Sequence, residues 1–333
     1  MKAAVLYGIN EALTIEDVAI PELADDEVLV KLKAASLNKR DWWIQKGQYA
    51  GLKFPIIIGS DGAGVVEATG KNVDENLKGK KAIIYFMKNW GNNERFQSQD
   101  AIMLGLPENG CLAEFVKVKA DQIFSKPANL SFEETAALPV AGVTAYRALF
   151  TKGECKQGDK VLISGVGGGA GSFALQFAVA AEAEVWITSS SDEKISKAVA
   201  AGAKGGVNYR MENWDKKLSD EAGYFDVIID SALGDGFANL AGLAARGGRI
   251  VFFGGTAGNL PPLNGRPIFW KQISILGTTG GSPSDFKNML AFIEEKNIHP
   301  FIDAVFSLDD AEKAIRTMDS SAGKFGKVVL SIS

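Results

Sequence analysis

From Lys160 to Ser191 the chain reads KVLISGVGGGAGSFALQFAVAAEAEVWITSSS. Val161 to Ile163 has the composition of a strand buried on both faces, which belongs in a parallel sheet covered by helices. The segment from about Ala170 to Ala181 has the length and apolar content of a helix packed on such a sheet. A glycine motif alone is a weak signal, but between a strand and a helix, with a second strand beyond, it is a strong one. Glycines between Gly165 and Gly171 let a backbone approach a pyrophosphate with no Cβ in the way, and the helix points its partially positive amino end at it. The segment is expected to bind a dinucleotide rather than simply to join strand to helix.

The end of the second strand bears on which dinucleotide. Sites for NAD usually place an Asp or Glu there to accept from the ribose 2′-hydroxyl, and Thr188, Ser189, Ser190 and Ser191 offer none. An acid would repel a 2′-phosphate, whereas hydroxyls and the nearby Lys194 suit one. NADPH is the expected cofactor, although Asp192 lies close by. Ser190 and Glu193 also have the spacing of a capping box for the helix SDEKISKAVAAG.

With 333 residues, 46% of them apolar, the chain is long enough for two cores. A net charge of −4 and a pI near 5.3 argue against nucleic acid as the main ligand, which calls for a basic footprint. The longest apolar stretch, FALQFAVAA, is too short and interrupted to span a bilayer, so no membrane partner is expected. Cys111 and Cys155 form neither a disulfide framework nor a paired metal spacing, which fits a reducing, cytoplasmic setting. The first third carries β-type segments, KAAVLY, EVLVKLKAAS, GAGVVEATG, KKAIIYF and CLAEFVKVKA, and predicts an irregular, mostly antiparallel barrel. A helix is expected over SFEETAALPVAGVTAYRALF. Strands and helices then alternate through VWITSS, GVNY, FDVIIDSA, GRIVFFGG and ISILGTT, the pattern of a doubly wound parallel sheet. The last segments, SDFKNMLAFIEEKN, FIDAVFSL, DDAEKAIRTMDS and GKVVLSIS, read as a return to the first domain.

SLNKRD (36–41), PIIIGSDGAGVV (55–66), LPVAGVTAYRAL (138–149), the glycine turn, AGA (201–203), Asn208 with Tyr209, GGRIVFFG (247–254) and FGKVVL (325–330) occur in this order. In that order the chain resembles the medium-chain dehydrogenase/reductase superfamily along almost its whole length, and within it the zinc-free quinone-oxidoreductase-like branch. The resemblance implies an α/β architecture. Residues 1–122 and 295–333 would form a GroES-like, mostly antiparallel β-barrel catalytic domain, and residues 123–294 a Rossmann domain for NADP(H), with the nicotinamide in the cleft between them. Two departures stand out: Val166 and Gly167 replace a common small-residue pair, and Trp43 stands where several relatives have Tyr.

Zinc members of the superfamily need Cys, His and a further Cys or acid at the catalytic ion. Here Asn38 takes the place of the catalytic Cys, and Gly59, Ser60 and Asp61 take the place of the Gly-His-Glu signature. The chain has one His, and MKNWGNNERFQSQDAIMLG lacks the cysteines of a structural zinc lobe. No metal is therefore expected, and His299 is given no role. Without a Lewis acid an unactivated alcohol is a poor substrate, whereas a quinone or an α,β-unsaturated ketone or aldehyde already delocalises the charge that hydride transfer creates.

The candidate catalytic residues, carried over by resemblance, are Asn38 as a neutral donor to the developing oxyanion, Tyr49 as proton donor and Asp41 as an orienting group. In the blander reading Asn38 and Asp41 make local backbone bonds of a turn and Tyr49 packs at a rim. Trp43, with Trp42 beside it, would wall the substrate pocket. The candidate cofactor residues are Thr144, placed at the start of a helix, then Gly168, Gly169, Ala170 and Gly171 at the pyrophosphate. Ser189, Ser190, Lys194 and Tyr209 follow near the adenosine phosphate, and Gly254, Gly255 and Thr256 lie beyond a strand end. A homodimer pairing edge strands near ILGTT is implied as well. The rival readings are a noncatalytic NADPH-binding redox sensor and a zinc-type alcohol dehydrogenase relative with an unusual site.

Overall fold

The computed structural model describes residues 1–319 and 323–333. The chain divides into two compact units. One holds Met1–Val140, the segment that begins at Ser282, and Lys327–Ser333; the other holds Ala141–Gly281.

In the first unit the strand Glu27–Ser36 is the organising element. It pairs antiparallel with Asp61–Thr69 along its length, with Phe115–Lys119 over its first half and with Lys327–Ser331 at its end. Shifts of register between Leu29 and Val30 and between Leu32 and Ala34 bend the strand so that it serves all three partners. The sheet has seven strands and is antiparallel except where Ile302–Ser307 runs parallel to Lys327–Ser331. Inside it Val28, Val30, Leu32, Val116, Leu112 and Leu330 form one core. Gly64 is required where the two longest strands meet, since a Cβ there would lie 2.1 Å from the Lys31 carbonyl oxygen.

The second unit is built on a six-stranded parallel sheet in the order 205–208, 184–189, 160–164, 225–230, 244–252, 274–277. Ile163 faces both Ile187 and Ile229, and such runs are apolar throughout because helices cover both faces. Helix Gly169–Ala180 buries Phe173, Leu175 and Phe177. The strand order reverses between Lys160–Ser164 and Phe225–Asp230, and the glycine turn leaves the sheet at that point, where open α/β sheets bind ligands. The α/β class, the doubly wound parallel sheet and the mostly antiparallel first unit stand as expected.

Two details differ from the sequence-based expectations. The domain boundaries at 122/123 and 294/295 move, because Ile123–Ser125 pairs with Lys81–Ile84 in the barrel sheet. Phe286 of helix Pro283–Glu295 also stacks on Phe124 and Tyr85, with ring centroids 5.0 and 5.3 Å apart. The single helix expected over residues 131–150 is broken at Pro139 into Phe132–Ala136 and Pro139–Tyr146, followed by a π-helical stretch, Arg147–Lys152. Near the C-terminus the segment DDAEKAIRTMDS holds a helix, Ala311–Arg316, with short 3₁₀ turns on either side, and its last residue, Ser320, lies outside the described residues. Among the described residues no helix is long and apolar enough to cross a membrane.

Candidate active site

Helix Lys39–Gln45 starts from Asn38, whose extended backbone makes it the cap. Asp41 Oδ2 accepts the Asn38 backbone N–H at 2.7 Å, the local bond the turn reading anticipates. The Asn38 side chain goes elsewhere. Its Nδ2 donates to Asp61 Oδ2 at 2.8 Å, and its Oδ1 accepts from Lys327 Nζ at 2.7 Å. An ammonium group only donates, so the atom facing Lys327 must be the amide oxygen, and the amide cannot flip. One Nδ2 hydrogen is used by Asp61, which leaves the other for a ligand.

Asp61 and Lys327 form a buried ion pair at 3.0 Å, with side chains 0% and 3% exposed. Lys327 Nζ also donates to the Leu37 carbonyl, while Asp61 accepts from Ser36 Oγ at 2.8 Å and the Val140 N–H at 2.9 Å. Both charges are thus fully bonded, which a buried pair requires to be tolerated. Asp41, also fully buried, is less well served, because among the described residues its Oδ1 has no hydrogen-bond partner. Burial pushes its carboxyl up to about 6, against the lowering pull of Arg40 and of the Asn38 N–H.

Arg40 is buried on the same helix. Its Nη1 donates to Ser60 Oγ and, at 2.9 Å, to the Leu104 carbonyl. Its Nε faces the Tyr49 hydroxyl at 3.5 Å, and the guanidinium carbon lies 5.0 Å from the Tyr49 ring centroid. The structure therefore gathers Asn38, Asp41 and Tyr49 around one short helix. Trp43 shares that helix, half-buried and edge-on to Trp42 at 4.5 Å between centroids, with Lys39 Nζ 5.6 Å from its own ring.

In the second unit the glycine turn forms a cradle. Gly165 and Gly167 have φ of +71° and +133°, a backbone that favours glycine. A Cβ at Gly165 or Gly168 would meet no atom within 4 Å, so open space lies over the turn. No side chain caps the helix that follows, and the first-turn residues Gly169, Ala170 and Gly171 present their amides to that space. The turn is pinned to the neighbouring strand, as Gly165 N–H donates to Thr188 Oγ1 and Val166 N–H to the Thr188 carbonyl. Lys194 lies across Gly167, where a Cβ would come 3.1 Å from its Nζ. Tyr209 N–H donates to the Ser189 carbonyl, which ties Tyr209 to the end of the strand that carries Ser189. The helix cap is Ser191, which accepts from the Lys194 N–H; the box expected from Ser190 and Glu193 is one residue early. Asp192 is turned to Asn208, whose Nδ2 donates to it at 2.9 Å.

Thr144 is buried in the last turn of Pro139–Tyr146, not at a helix start, because Pro139 takes that position. Gly254, Gly255 and Thr256 are exposed after the strand Ala244–Phe252, two places across the sheet from the glycine turn. His299, given no role, faces Glu134 at 2.7 Å beside a helix cap.

Residues 24–128 match the family described as alcohol dehydrogenase GroES-like domain, and residues 169–295 the family described as zinc-binding dehydrogenase. A zinc-type alcohol dehydrogenase-like protein of Schizosaccharomyces pombe is 40% identical over 97% of this chain and 96% of its own length. The chain belongs to the medium-chain dehydrogenase/reductase superfamily, whose members use NAD(P), and it is an oxidoreductase of that kind. A quinone oxidoreductase of Mus musculus is 29% identical over 97% of this chain and 95% of that protein. A crystal structure of an NAD-dependent alcohol dehydrogenase shares 34% identity at a TM-score of 0.93, covering all of both chains.

The family descriptions bring zinc into question, and the donors present do not fit it. Among the described residues no three His, Cys, Asp or Glu side chains gather as a metal group. Burial pushes the Cys155 thiol up to about 12 and the Cys111 thiol well above its usual range, so neither offers a thiolate at neutral pH. Asn38 and Ser60, at the ligand positions of the zinc enzymes, already bind two side-chain cations, Lys327 and Arg40. Neither cation is among the site residues that the sequence points to. A lone charge inside the apolar run FGKVVL was the available signal for Lys327; nothing in SLNKRD distinguishes Arg40 from Lys39.

Proposed function

We propose that the protein is a zinc-independent, NADPH-dependent reductase of a conjugated carbonyl, either a quinone or an α,β-unsaturated ketone or aldehyde. The observation that carries this reading is the fixed amide of Asn38. Its one uncommitted N–H is a neutral, pre-oriented donor, suited to an oxygen that gains charge only as the acceptor is reduced. Tyr49 supplies the proton, since its hydroxyl meets a cation that cannot accept one. Asp41 orients Asn38 through its backbone, and Trp43 bounds the acceptor's pocket. The similarity to a quinone oxidoreductase supports the acceptor class.

NADPH supplies the hydride when bound. Gly168, Gly169, Ala170 and Gly171 would hold its pyrophosphate, with Ser189, Ser190, Lys194 and Tyr209 at the adenosine phosphate. Thr144, Gly254, Gly255 and Thr256 would serve nearer the nicotinamide. The preference for NADPH over NADH rests on the absence of an acid from Thr188 to Ser191, on the position of Lys194, and on the bond that occupies Asp192. We also place the protein in the cytoplasm as a homodimer joined at Ser274–Gly277, a sheet-edge strand beside the exposed Phe269 and Trp270.

The test is consumption of NADPH and NADH, followed at 340 nm, with a panel of quinones and enones and with metal content measured on the same sample. NADPH-dependent turnover in metal-free protein is expected. Binding of NADPH without turnover of any acceptor would favour the sensor, and activity tracking stoichiometric zinc would favour the alcohol dehydrogenase.

A further inference from the structure

The two positions that bind zinc elsewhere in the superfamily are here occupied from within by side-chain cations, and the two cations differ in what they leave free. Lys327 spends its three hydrogens on Leu37, Asn38 and Asp61. Arg40 does not. Its Nη1 is bonded to Ser60 and Leu104, and Ser60 Oγ in turn donates to the same Leu104 carbonyl at 2.8 Å, so one end of the fork is fixed. The other end faces Tyr49. Among the described residues Arg40 is the only hydrogen-bond partner of the Tyr49 hydroxyl. The contact is long at 3.5 Å, but the ring also lies against the guanidinium, 5.0 Å from its central carbon, so oxygen and π-face are both held by one charge.

Tyr49 needs such a partner because it sits on a loop between Gly47 and Gly51, whose φ values are +73° and +70°. A guanidinium has donors only, so it can engage the phenol solely through an oxygen lone pair, and the hydroxyl hydrogen must point away from it.

We propose that Arg40 is a positioning residue that takes over the electrostatic work of the missing metal, holding Tyr49 so that its proton faces the acceptor and its phenolate is stabilised once the proton has gone. This rests on the reading of Tyr49 as proton donor. Bound NADPH would supply the hydride, itself becoming NADP, while the O–H bond of Tyr49 would break and its proton join the reduced acceptor. The phenolate that remains beside Arg40 is reprotonated from water. The metal enzymes gather the developing charge on an ion; here the negative charge is passed through the phenol to a fixed side-chain cation.

A double-mutant cycle tests this with Arg40→Lys, Tyr49→Phe and the pair. Lysine keeps the positive charge beside Asp41 but cannot reach both Ser60 and Tyr49 with a rigid fork. Tyr49→Phe is expected to lower kcat about a hundredfold, and Arg40→Lys about tenfold or more, with KM changed little. The double variant should equal Tyr49→Phe alone, because Arg40 acts only through the phenol. Multiplying losses, or an Arg40→Lys enzyme with unchanged kcat, would overturn the proposal. A second readout needs no turnover: the ring ¹³Cζ resonance of Tyr49, assigned by its loss in Tyr49→Phe. It should move in Arg40→Lys, and an unmoved resonance would overturn the proposal. If the wild type reduces no acceptor, the functional reading fails while this measurement still decides whether Arg40 holds the phenol.

Discussion

Replacing Asp41 by Asn should stabilise the protein, and only above the pH at which free carboxylates ionise. Asp41 is fully buried, with one oxygen on the Asn38 N–H and the other without a partner among the described residues, and burial pushes its carboxyl up to about 6 from an ordinary 3.8. The folded protein therefore holds this proton more tightly than the unfolded chain does. Below pH 3.8 both states are protonated and the group is neutral to folding. Between 3.8 and about 6 the unfolded chain ionises first, so stability falls as pH rises; above about 6 the loss is complete. At ~1.36 kcal/mol per pH unit, that interval corresponds to about 3 kcal/mol. Asparagine carries no charge at any of these pH values, and its carbonyl oxygen can still accept the Asn38 N–H. Urea unfolding of both proteins at pH 4 and pH 8, followed by tryptophan fluorescence to which Trp42 and Trp43 contribute, isolates the group because all other titrations cancel in the difference. The Asn variant should gain most of that ~3 kcal/mol relative to wild type between the two pH values. A difference that does not change with pH would show that Asp41 titrates normally despite its burial, and the reasoning would fail.

Gly168→Ala should leave the melting temperature unchanged, since its Cβ enters open space, yet weaken NADPH binding by about tenfold or more, a loss calorimetry can read. Lys194→Ala should lower kcat/KM for NADPH by about 10- to 100-fold while NADH is unaffected; equal losses for both cofactors would place Lys194 at the pyrophosphate instead. Lys327→Met leaves the Asp61 carboxylate buried without its cation and should cost about 3–5 kcal/mol in denaturant unfolding, whereas a loss below about 1 kcal/mol would mean that Ser36, Asn38 and the Val140 N–H satisfy Asp61 by themselves.

The sheet was legible because its information is local: apolar runs such as FDVIID and GRIVFF have strand length, and glycine lies where the chain leaves the sheet. Helix breaks were less so. VAGVTAYRALF is apolar enough to read as one helix, and only the proline ahead of it shows that Thr144 falls near a helix end rather than a start. The cap at Ser191 instead of Ser190 is a choice among three consecutive serines that composition cannot make.

The candidate site divides along the same line. Asn38, Asp41 and Tyr49 are close in sequence and could be proposed from the segment that carries them, but what each can do depends on partners distant in sequence. Lys327 lies 289 residues from the amide whose orientation it decides. Ser60 and Leu104 anchor Arg40 from two further segments. A count of Cys and His reports that zinc ligands are missing; it cannot report that cations occupy their place, because Lys and Arg are ordinarily surface residues and their number carries no signal. Position within an apolar strand does carry one. A lysine between Gly326 and three β-forming apolar residues must either break the strand's burial or find a buried carboxylate, and Asp61, itself at the start of a strand running through apolar and glycine residues, poses the complementary problem. Each charge is the solution to the other's burial, and Asn38, bonded to both, has its amide fixed as a consequence.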